Sequence, residues 1–339
     1  MPRTRRVDTS GAGIRRVNRG LGFSYHEEDG ERISDAETLE RIRSLAIPPA
    51  WRDVWICPHP RGHVQATGHD EAGRKQYRYH DDWRANRDRI KFDEMLDFAR
   101  VLPELRGRLD EGLGRRGLVF DRVCSCAVRL LDLGLFRIGS ERYESENESY
   151  GLTTIKRKHV RIKGGEAIFN YPAKSGQRST HTISDPSVMP TLKALRQRTQ
   201  APKLRDFLIY RAGREWRDLV SVDVNAYIKQ TAGDGFSAKD FRTWNATVLA
   251  AVSVANNGEE ATTRAARKRV ATRAVKETAL FLNNTPAVCR ASYIDPRVFD
   301  RFDSGESIRP RLERIERSIE PGEFPDREKI ERAVIDLLS

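Results

Sequence analysis

The segment Asn284-Thr285-Pro286-Ala287-Val288-Cys289-Arg290-Ala291-Ser292-Tyr293 decides how this chain is read. Thr285 followed by Pro286 marks a helix start. A threonine hydroxyl caps free N–H groups, and proline suits the first helical position, whose N–H has no intrahelical partner. The segment thus puts a polar residue, Asn284, before one short helix and Tyr293 after it. Upstream, Glu259 to Leu282 reads as one long Ala- and Arg-rich helix. On these grounds alone Tyr293 also fits a packed core aromatic. A tyrosine that attacks phosphate, by contrast, needs cations. Three other segments offer them: Phe136-Arg137-Ile138-Gly139, Ala173-Lys174-Ser175-Gly176 and Lys239-Asp240-Phe241-Arg242-Thr243-Trp244.

Each of these segments has a plain structural explanation too. Arg137 follows the apolar stretch Leu130 to Phe136, near a helix end with Gly139 permitting a turn, and by spacing it reads as a surface arginine paired with Glu141 or Glu144. Lys174 sits at a hairpin tip, where a lysine is by default solubilising. Ser237-Ala238-Lys239-Asp240 resembles a capping box, with an acidic residue three positions after the capping serine. That box places Arg242 in the first turns of a helix, where outward N–H groups also favour an anion.

With 339 residues the chain has room for two domains. Its net charge of +12 predicts attraction to a polyanion, of which nucleic acid is the usual one. No run of about 18 apolar residues predicts a membrane span, and the basic start, Met1 to Arg6, has no apolar stretch behind it as a secretory signal would. Cys57, Cys124, Cys126 and Cys289 are too few and too apolar in setting for a disulfide framework, so a reducing, cytoplasmic compartment is expected. His59, His63, His69 and His80 lie near Cys57, but Pro58 and Pro60 break the cluster and no C-x-x-C pair accompanies it. No metal is expected there. Gly11-Ala12-Gly13 lacks the preceding strand and third glycine of a dinucleotide loop, so no nucleotide cofactor is expected either.

The expected fold class is α+β. Residues 1–20 read as a flexible basic arm. Residues 21–90 read as a small, mainly β domain with strands at Val54 to Ile56, His63 to Thr67 and Gln76 to Tyr79, and a helix over Thr38 to Leu45. Residues 91–339 read as a larger, mainly helical domain holding a small β-hairpin sheet. Its helical period runs through Met95, Phe98, Leu102 and Leu105, then Val119 to Leu135. Short strands are expected at Leu152 to Ile155, His159 to Lys163, Glu166 to Tyr171 and Thr180 to Ile183. Gly164-Gly165 is a two-residue hairpin signal, since both positions of such a turn favour positive φ. Helices are expected from Pro190 to the end, the last of them amphipathic through Ile330, Val334, Leu337 and Leu338.

Taken in order, the four segments resemble the active-site segments of type IB DNA topoisomerases, in their compact bacterial and poxvirus-like branch. The resemblance runs from about Ile47 to Phe299. It implies a clamp of two domains around duplex DNA, with Tyr293 as nucleophile and Arg137 and Arg242 on the phosphate. It implies Lys174 as the general acid for the leaving 5′ oxygen, a role that suits an amine, which can give up a proton, better than a guanidinium. Many members carry histidine where Asn284 stands; an amide can still donate to a non-bridging oxygen, but it is neutral at every relevant pH. Lys239 is the best further phosphate contact. Gln76, Tyr77 and Tyr79 match the family's DNA-reading strand, although without the resemblance the two tyrosines read as core. Period two puts Gln76 and Arg78 on one face, Tyr77 and Tyr79 on the other. The implied protein is a monomer acting on DNA in the cytoplasm at the nucleoid, with no small-molecule cofactor, metal or membrane partner. Two alternatives stay open. A tyrosine recombinase shares the Arg, Lys, Arg and Tyr set but generally presents His-x-x-Arg where Lys239 to Arg242 stands. A non-catalytic basic DNA-binding protein explains the charge but not the ordered segments.

Overall fold

Alternating apolar and polar side chains build the first sheet. Strands β1 (Ile14–Asn18), β2 (Phe23–His26), β3 (Arg52–Ile56), β4 (Val64–His69) and β5 (Lys75–Tyr79) pair antiparallel in the order β2-β1-β3-β4-β5. Helix α1 (Ala36–Ser44) starts where Asp35 Oδ2 accepts the Thr38 N–H at 2.8 Å. Its Ile42 and Leu39 join Ile14, Val54, Ile56 and Ala66 in one apolar cluster. In this computed structural model all residues are described except 1–3, 135, 141–143, 145–147, 174–175, 200, 202–203 and 321–324. Lys174, expected as the general acid, therefore lies outside the described residues.

One expectation for this region needs correction. Residues 14–18, read as part of a flexible arm, form β1 inside the sheet. Their arginines concealed the strand. The Arg16 guanidinium covers the Phe23 ring at 4.2 Å and donates to the carbonyls of Pro48 (3.1 Å) and Trp51 (2.6 Å), so the charge is met by acceptors more than thirty residues away. In β5 the alternation is as read: Gln76 and Arg78 are half-buried, while Lys75, Tyr77 and Tyr79 are exposed. The two tyrosine rings stack at 5.9 Å. They are a surface pair and not core.

The chain divides into two units, Met1–Phe92 and Asp93–Ser339, and the boundary falls inside helix α2 (Asp81–Leu113). The second unit continues with α3 (Phe120–Asp132), then the antiparallel strands β6 (Val160–Lys163), β7 (Glu166–Pro172) and β8 (Arg178–Ile183). Gly164 and Gly165 turn β6 into β7 at φ +61° and +86°. Next come α4 (Met189–Gln197), the hairpin β9 (Ile209–Ala212) and β10 (Glu215–Asp218), and α5 (Ser221–Ala232). The remaining helices are α6 (Ala238–Asn257), α7 (Arg264–Phe281), α8 (Pro286–Ser292), α9 (Arg297–Asp303), α10 (Arg309–Arg317) and α11 (Arg327–Leu338). The fold class is α+β.

Helix α6 is the pillar of this unit and packs on α3, α5, α7, α9, α10 and α11. Buried Ala246, Ala250, Ala251 and Ala255 let neighbours approach closely, and Phe241 and Trp244 fill the space at its start. Three details differ from expectation. Leu152–Thr154 is a 3₁₀ turn and not a strand, because its N–H groups bond the Arg137 and Ile138 carbonyls instead of a strand neighbour (2.7 and 2.9 Å). The hairpin β9–β10 interrupts the helices expected after Pro190, turning at Gly213 with φ +61°. The long helix begins at Arg264 and not at Glu259, since the Thr263 hydroxyl caps it through the Ala266 N–H at 3.1 Å.

Candidate active site

Beyond the end of α3 the chain turns at Gly134, φ +80°, and buries Phe136 edge-on against Phe169 and His181, both at 5.0 Å. Arg137 follows, half-buried. Its backbone is pinned by the 3₁₀ turn described above, and the two chain segments touch at glycines. A Cβ on Gly151 would lie 2.4 Å from Gly139 Cα, which no side chain tolerates. The F-R-I-G sequence is thus a rigid mount for one guanidinium.

The second guanidinium stands at the start of α6. Asp240 Oδ2 accepts from Ser237 N and Oγ at 2.8 and 3.0 Å, closing the helix start as the capping box implies. Arg242, 5% exposed, sends one nitrogen to the Leu282 carbonyl at 2.7 Å. Its guanidinium carbon lies 5.6 Å from the centre of the Tyr293 ring. Burial lowers this group from its ordinary value and nearby Arg137 lowers it further, while the Tyr293 phenol acts the other way. Arginine remains charged regardless, so two cations are held close with no carboxylate bonded to either among the described residues.

Asn284 is delivered by the way α7 stops. Asn283 adopts the left-handed conformation, φ +51°, its N–H bonds Leu280 O at 3.1 Å, and the Asn284 N–H bonds Ala279 O at 2.9 Å. This is a Schellman ending with asparagine in the usual glycine place. Arg137 then donates to Asn283 O at 2.7 Å and Asn284 Oδ1 at 2.6 Å. A guanidinium only donates, so the amide oxygen must face it. Among the described residues the Asn284 Nδ2 is left buried with no partner, as is the Arg242 Nε.

Helix α8 then lifts the chain to Tyr293. Thr285 Oγ1 accepts the Val288 N–H at 3.3 Å, and Tyr293, at the helix end, bonds Cys289 O through its own N–H at 3.0 Å. Thr247 of α6 holds this point: its hydroxyl accepts the Asp295 N–H at 3.1 Å, and its one proton lies between Thr243 O of the same helix at 3.0 Å and Tyr293 O at 3.3 Å. Arg242 and Thr247 share one helix, so α6 fixes the phenol relative to the guanidinium. Tyr293 is half-buried. Tyr171 of β7, also close to both arginines, is 2% exposed and pushed by burial up to about 12. Of the two phenols, Tyr293 is the one a substrate can reach.

Arg137, Arg242, Asn284 and Tyr293 therefore come together as one site. Lys239 is exposed one turn before Arg242 on α6, and Gln76, Tyr77 and Tyr79 lie on β5 in the first unit. Among the described residues no three His, Cys, Asp or Glu side chains converge as metal ligands. The four cysteines are free and buried. Sequence reasoning missed Thr247, Tyr171 and His181. Burial holds His181 at about 4, helped by Arg242, so it lines the site as a neutral ring, with Ser179 Oγ at 3.2 Å. Nothing local in the sequence marks these residues, because their neighbours come from distant strands and helices.

Known proteins match both units of the chain. The model for the catalytic core of eukaryotic DNA topoisomerase I matches residues 80–317, and that for the N-terminal domain of bacterial DNA topoisomerase IB matches residues 22–70. DNA topoisomerase 1B of Acanthamoeba polyphaga mimivirus is 32% identical over 287 residues, 83% of this chain and 85% of its own. DNA topoisomerase 1B of Vaccinia virus (strain Copenhagen) is 22% identical over 274 residues, 78% of this chain and 82% of its own. DNA topoisomerase 1 of Schizosaccharomyces pombe is 26% identical over 208 residues, 60% of this chain but 24% of its own. With the core model matching well over half of its length, the chain belongs to the type IB DNA topoisomerase family.

Proposed function

We propose that this DNA topoisomerase relaxes supercoiled duplex DNA with Tyr293 as its nucleophile, Arg137, Arg242 and Asn284 as phosphate ligands, and Lys174 as general acid. One observation carries the reading. The Arg242 guanidinium lies against one reachable phenol with Arg137 nearby; among the described residues neither arginine has a carboxylate partner, and two buried donors, Arg242 Nε and Asn284 Nδ2, have no acceptor. Buried donors without partners are costly. A phosphodiester supplies the missing acceptors and the missing negative charge together.

The steps balance without a cofactor. The Tyr293 hydroxyl loses its proton to solvent as its oxygen bonds phosphorus, and the adjacent Arg242 cation stabilises the phenolate. The phosphorus–O5′ bond breaks and O5′ takes a proton from the Lys174 amine. A 3′-phosphotyrosyl link and a free 5′-hydroxyl result. Charge that grows on the non-bridging oxygens meets fixed donors. After the free end rotates, the 5′-hydroxyl attacks phosphorus and expels Tyr293. The duplex partner is supported by the net charge of +12 and by the exposed Arg264, Lys268, Arg269 and Lys276 along α7. Gln76, Tyr77 and Tyr79 are proposed as contacts to base edges and phosphates, and Lys239 as an added phosphate ligand. The enzyme is proposed to act as a monomer in the cytoplasm, at the nucleoid. Family membership favours this over a recombinase or a non-catalytic DNA-binding protein.

The test is covalent trapping on a short duplex. Tyr293→Phe should form no adduct while binding DNA as the parent does, because one phenol hydroxyl contributes little to a polyelectrolyte interaction. Lys174→Ala should cleave slowly, and a 5′-thio leaving group should restore most of the rate, since a thiolate departs without a proton. An adduct in Tyr293→Phe would sink the nucleophile; a lysine variant that sulfur does not rescue would remove Lys174 from its role.

A further inference from the structure

The last helix, α11, is joined to the interior by charge. Arg327 donates from Nε to Glu331 at 2.9 Å, and from one terminal nitrogen to Asp132 O (2.8 Å), Asp132 Oδ1 (2.9 Å) and Asn245 Oδ1 (3.0 Å). Beneath it Arg106 of α2 bonds both oxygens of Asp132 (2.9 and 3.0 Å) and both of Glu331 (2.7 and 2.9 Å). Asp132 is 0% and Glu331 5% exposed. Burial would raise the Asp132 carboxyl, but Arg327, Arg106 and Arg129 outweigh it and hold it below the usual range.

The position of this cluster matters more than its charge. Asp132 is the last residue of α3, and Arg137 follows five residues later. Asn245 lies one turn beyond Arg242 on α6, and its Nδ2 donates to Asp132 O at 3.0 Å and Phe241 O at 2.8 Å. A Cβ on Gly134 would come within 3.0 Å of the Asn245 side chain, so the α3 exit is fitted against α6 at this point. Arg327 bonds both sides of that junction. Helix α6 is anchored by six neighbours. At the α3 exit, which delivers Arg137, Arg106 and Arg129 hold the Asp132 carboxylate, and Asn245 and Arg327 bond its backbone carbonyl, with Arg327 also reaching the α6 side chain of Asn245.

We propose that Arg327 is a positioning residue of the active site: by fixing the end of α3 against α6 it sets Arg137 relative to Arg242. This rests on the phosphate roles given to those two arginines. Arg327 touches no reacting atom. It is also removable, since it is 36% exposed in its side chain and Arg106 still pairs with both carboxylates without it. Loss of Arg106 itself would remove the bidentate partner of both buried carboxylates, a larger change than loss of Arg327.

The experiment measures single-turnover cleavage and duplex affinity for four proteins: parent, Arg327→Ala, Arg137→Ala and the double variant. Arg327→Ala should bind duplex within about twofold of the parent yet cleave about 10- to 100-fold more slowly, the scale expected for a small misplacement of a catalytic group. In the Arg137→Ala background the same substitution should cost less than about threefold, because the residue it positions is gone. Arg327→Gln, which keeps one donor toward Asp132 O, should fall between and carries the same test if the alanine variant does not fold. Parental cleavage by Arg327→Ala, an equal loss in both backgrounds, or a parallel loss of binding would overturn the inference. Parental cleavage by Arg137→Ala would overturn the site reading, and this inference with it.

Discussion

At the residue scale, Asn284 divides one amide between two tasks. Its oxygen takes the Arg137 proton at 2.6 Å, which orients the nitrogen as a free donor. Asn284→Ala removes both and should slow single-turnover cleavage by about 10²–10³, the usual cost of one transition-state donor. Asn284→Asp keeps the shape and the Arg137 pair but turns the donor into a second acceptor, so it should cleave no faster than the alanine variant. For Asn284→His the sign of the pH effect follows from the same pairing. A neutral imidazole accepts from Arg137 through one nitrogen and donates from the other. The imidazolium has two donors, no acceptor, and faces a guanidinium, which pushes its titration below the ordinary value of about 6.5. Cleavage by this variant should therefore be active at neutral pH and fall on acidification. The parent should show no imidazole titration from pH 5 to 8, because His181, the ring beside the arginines, protonates only near 4. A histidine variant that speeds up on acidification would mean that charge, and not the divided amide, does the work. Equal rates for parent and Asn284→Ala would reduce the residue to a spacer.

At the scale of elements, the site depends on helix ends: the exit of α3, the start of α6, the stop of α7 and the end of α8. The stop of α7 is the least forgiving, because Asn283 must hold φ +51° for Asn284 to face Arg137. Asn283→Gly should keep both fold and cleavage. Asn283→Ala should lose about 1–2 kcal/mol of stability, the cost of a left-handed backbone with a Cβ that gains no local hydrogen bond. Thermal unfolding and cleavage of the two variants check this, and an alanine variant as stable as the glycine one would exclude strain at the turn. How legible these elements were depends on how local their causes are. Thr285-Pro286, Ser237 with Asp240, and Gly164-Gly165 act within four residues and were read correctly from sequence. The strand β1 was not, because the acceptors of Arg16 lie at Pro48 and Trp51. The turn at Leu152 was not, because it is paired with Arg137. Arg327 reaches Asp132 across 195 residues, and no window of sequence contains both. Within the candidate site, Arg137, Arg242, Asn284 and Tyr293 were singled out through the resemblance of their segments, and the structure brings them together; Thr247 and His181, which hold and line it, have no such segment.

At the scale of the whole molecule, the chemistry is bond exchange at constant bond energy. One phosphodiester becomes a phosphotyrosyl ester and returns, so the torsional strain of the plasmid is the only free energy released. No step requires coupling to nucleotide hydrolysis. On the proposed reading, the cationic work at phosphorus falls to guanidiniums that are rigidly mounted: Arg137 on the pinned segment beyond α3 and Arg242 in the first turns of α6. These do not dissociate when a chelator is added. Because rotation about the uncut strand has no built-in direction, strain of either sign should be released. The purified protein should thus relax negatively and positively supercoiled plasmid to the same final distribution, in EDTA and without ATP. Rising salt should slow relaxation under conditions where binding limits it, since a chain of net charge +12 gains much of its duplex affinity from released counterions. Tyr293→Phe is the control that separates relaxation from contaminating nuclease or topoisomerase. Relaxation of only one sign, or a strict need for ATP or a divalent ion, would contradict an exchange driven by strain alone and return the role of the two arginines to question.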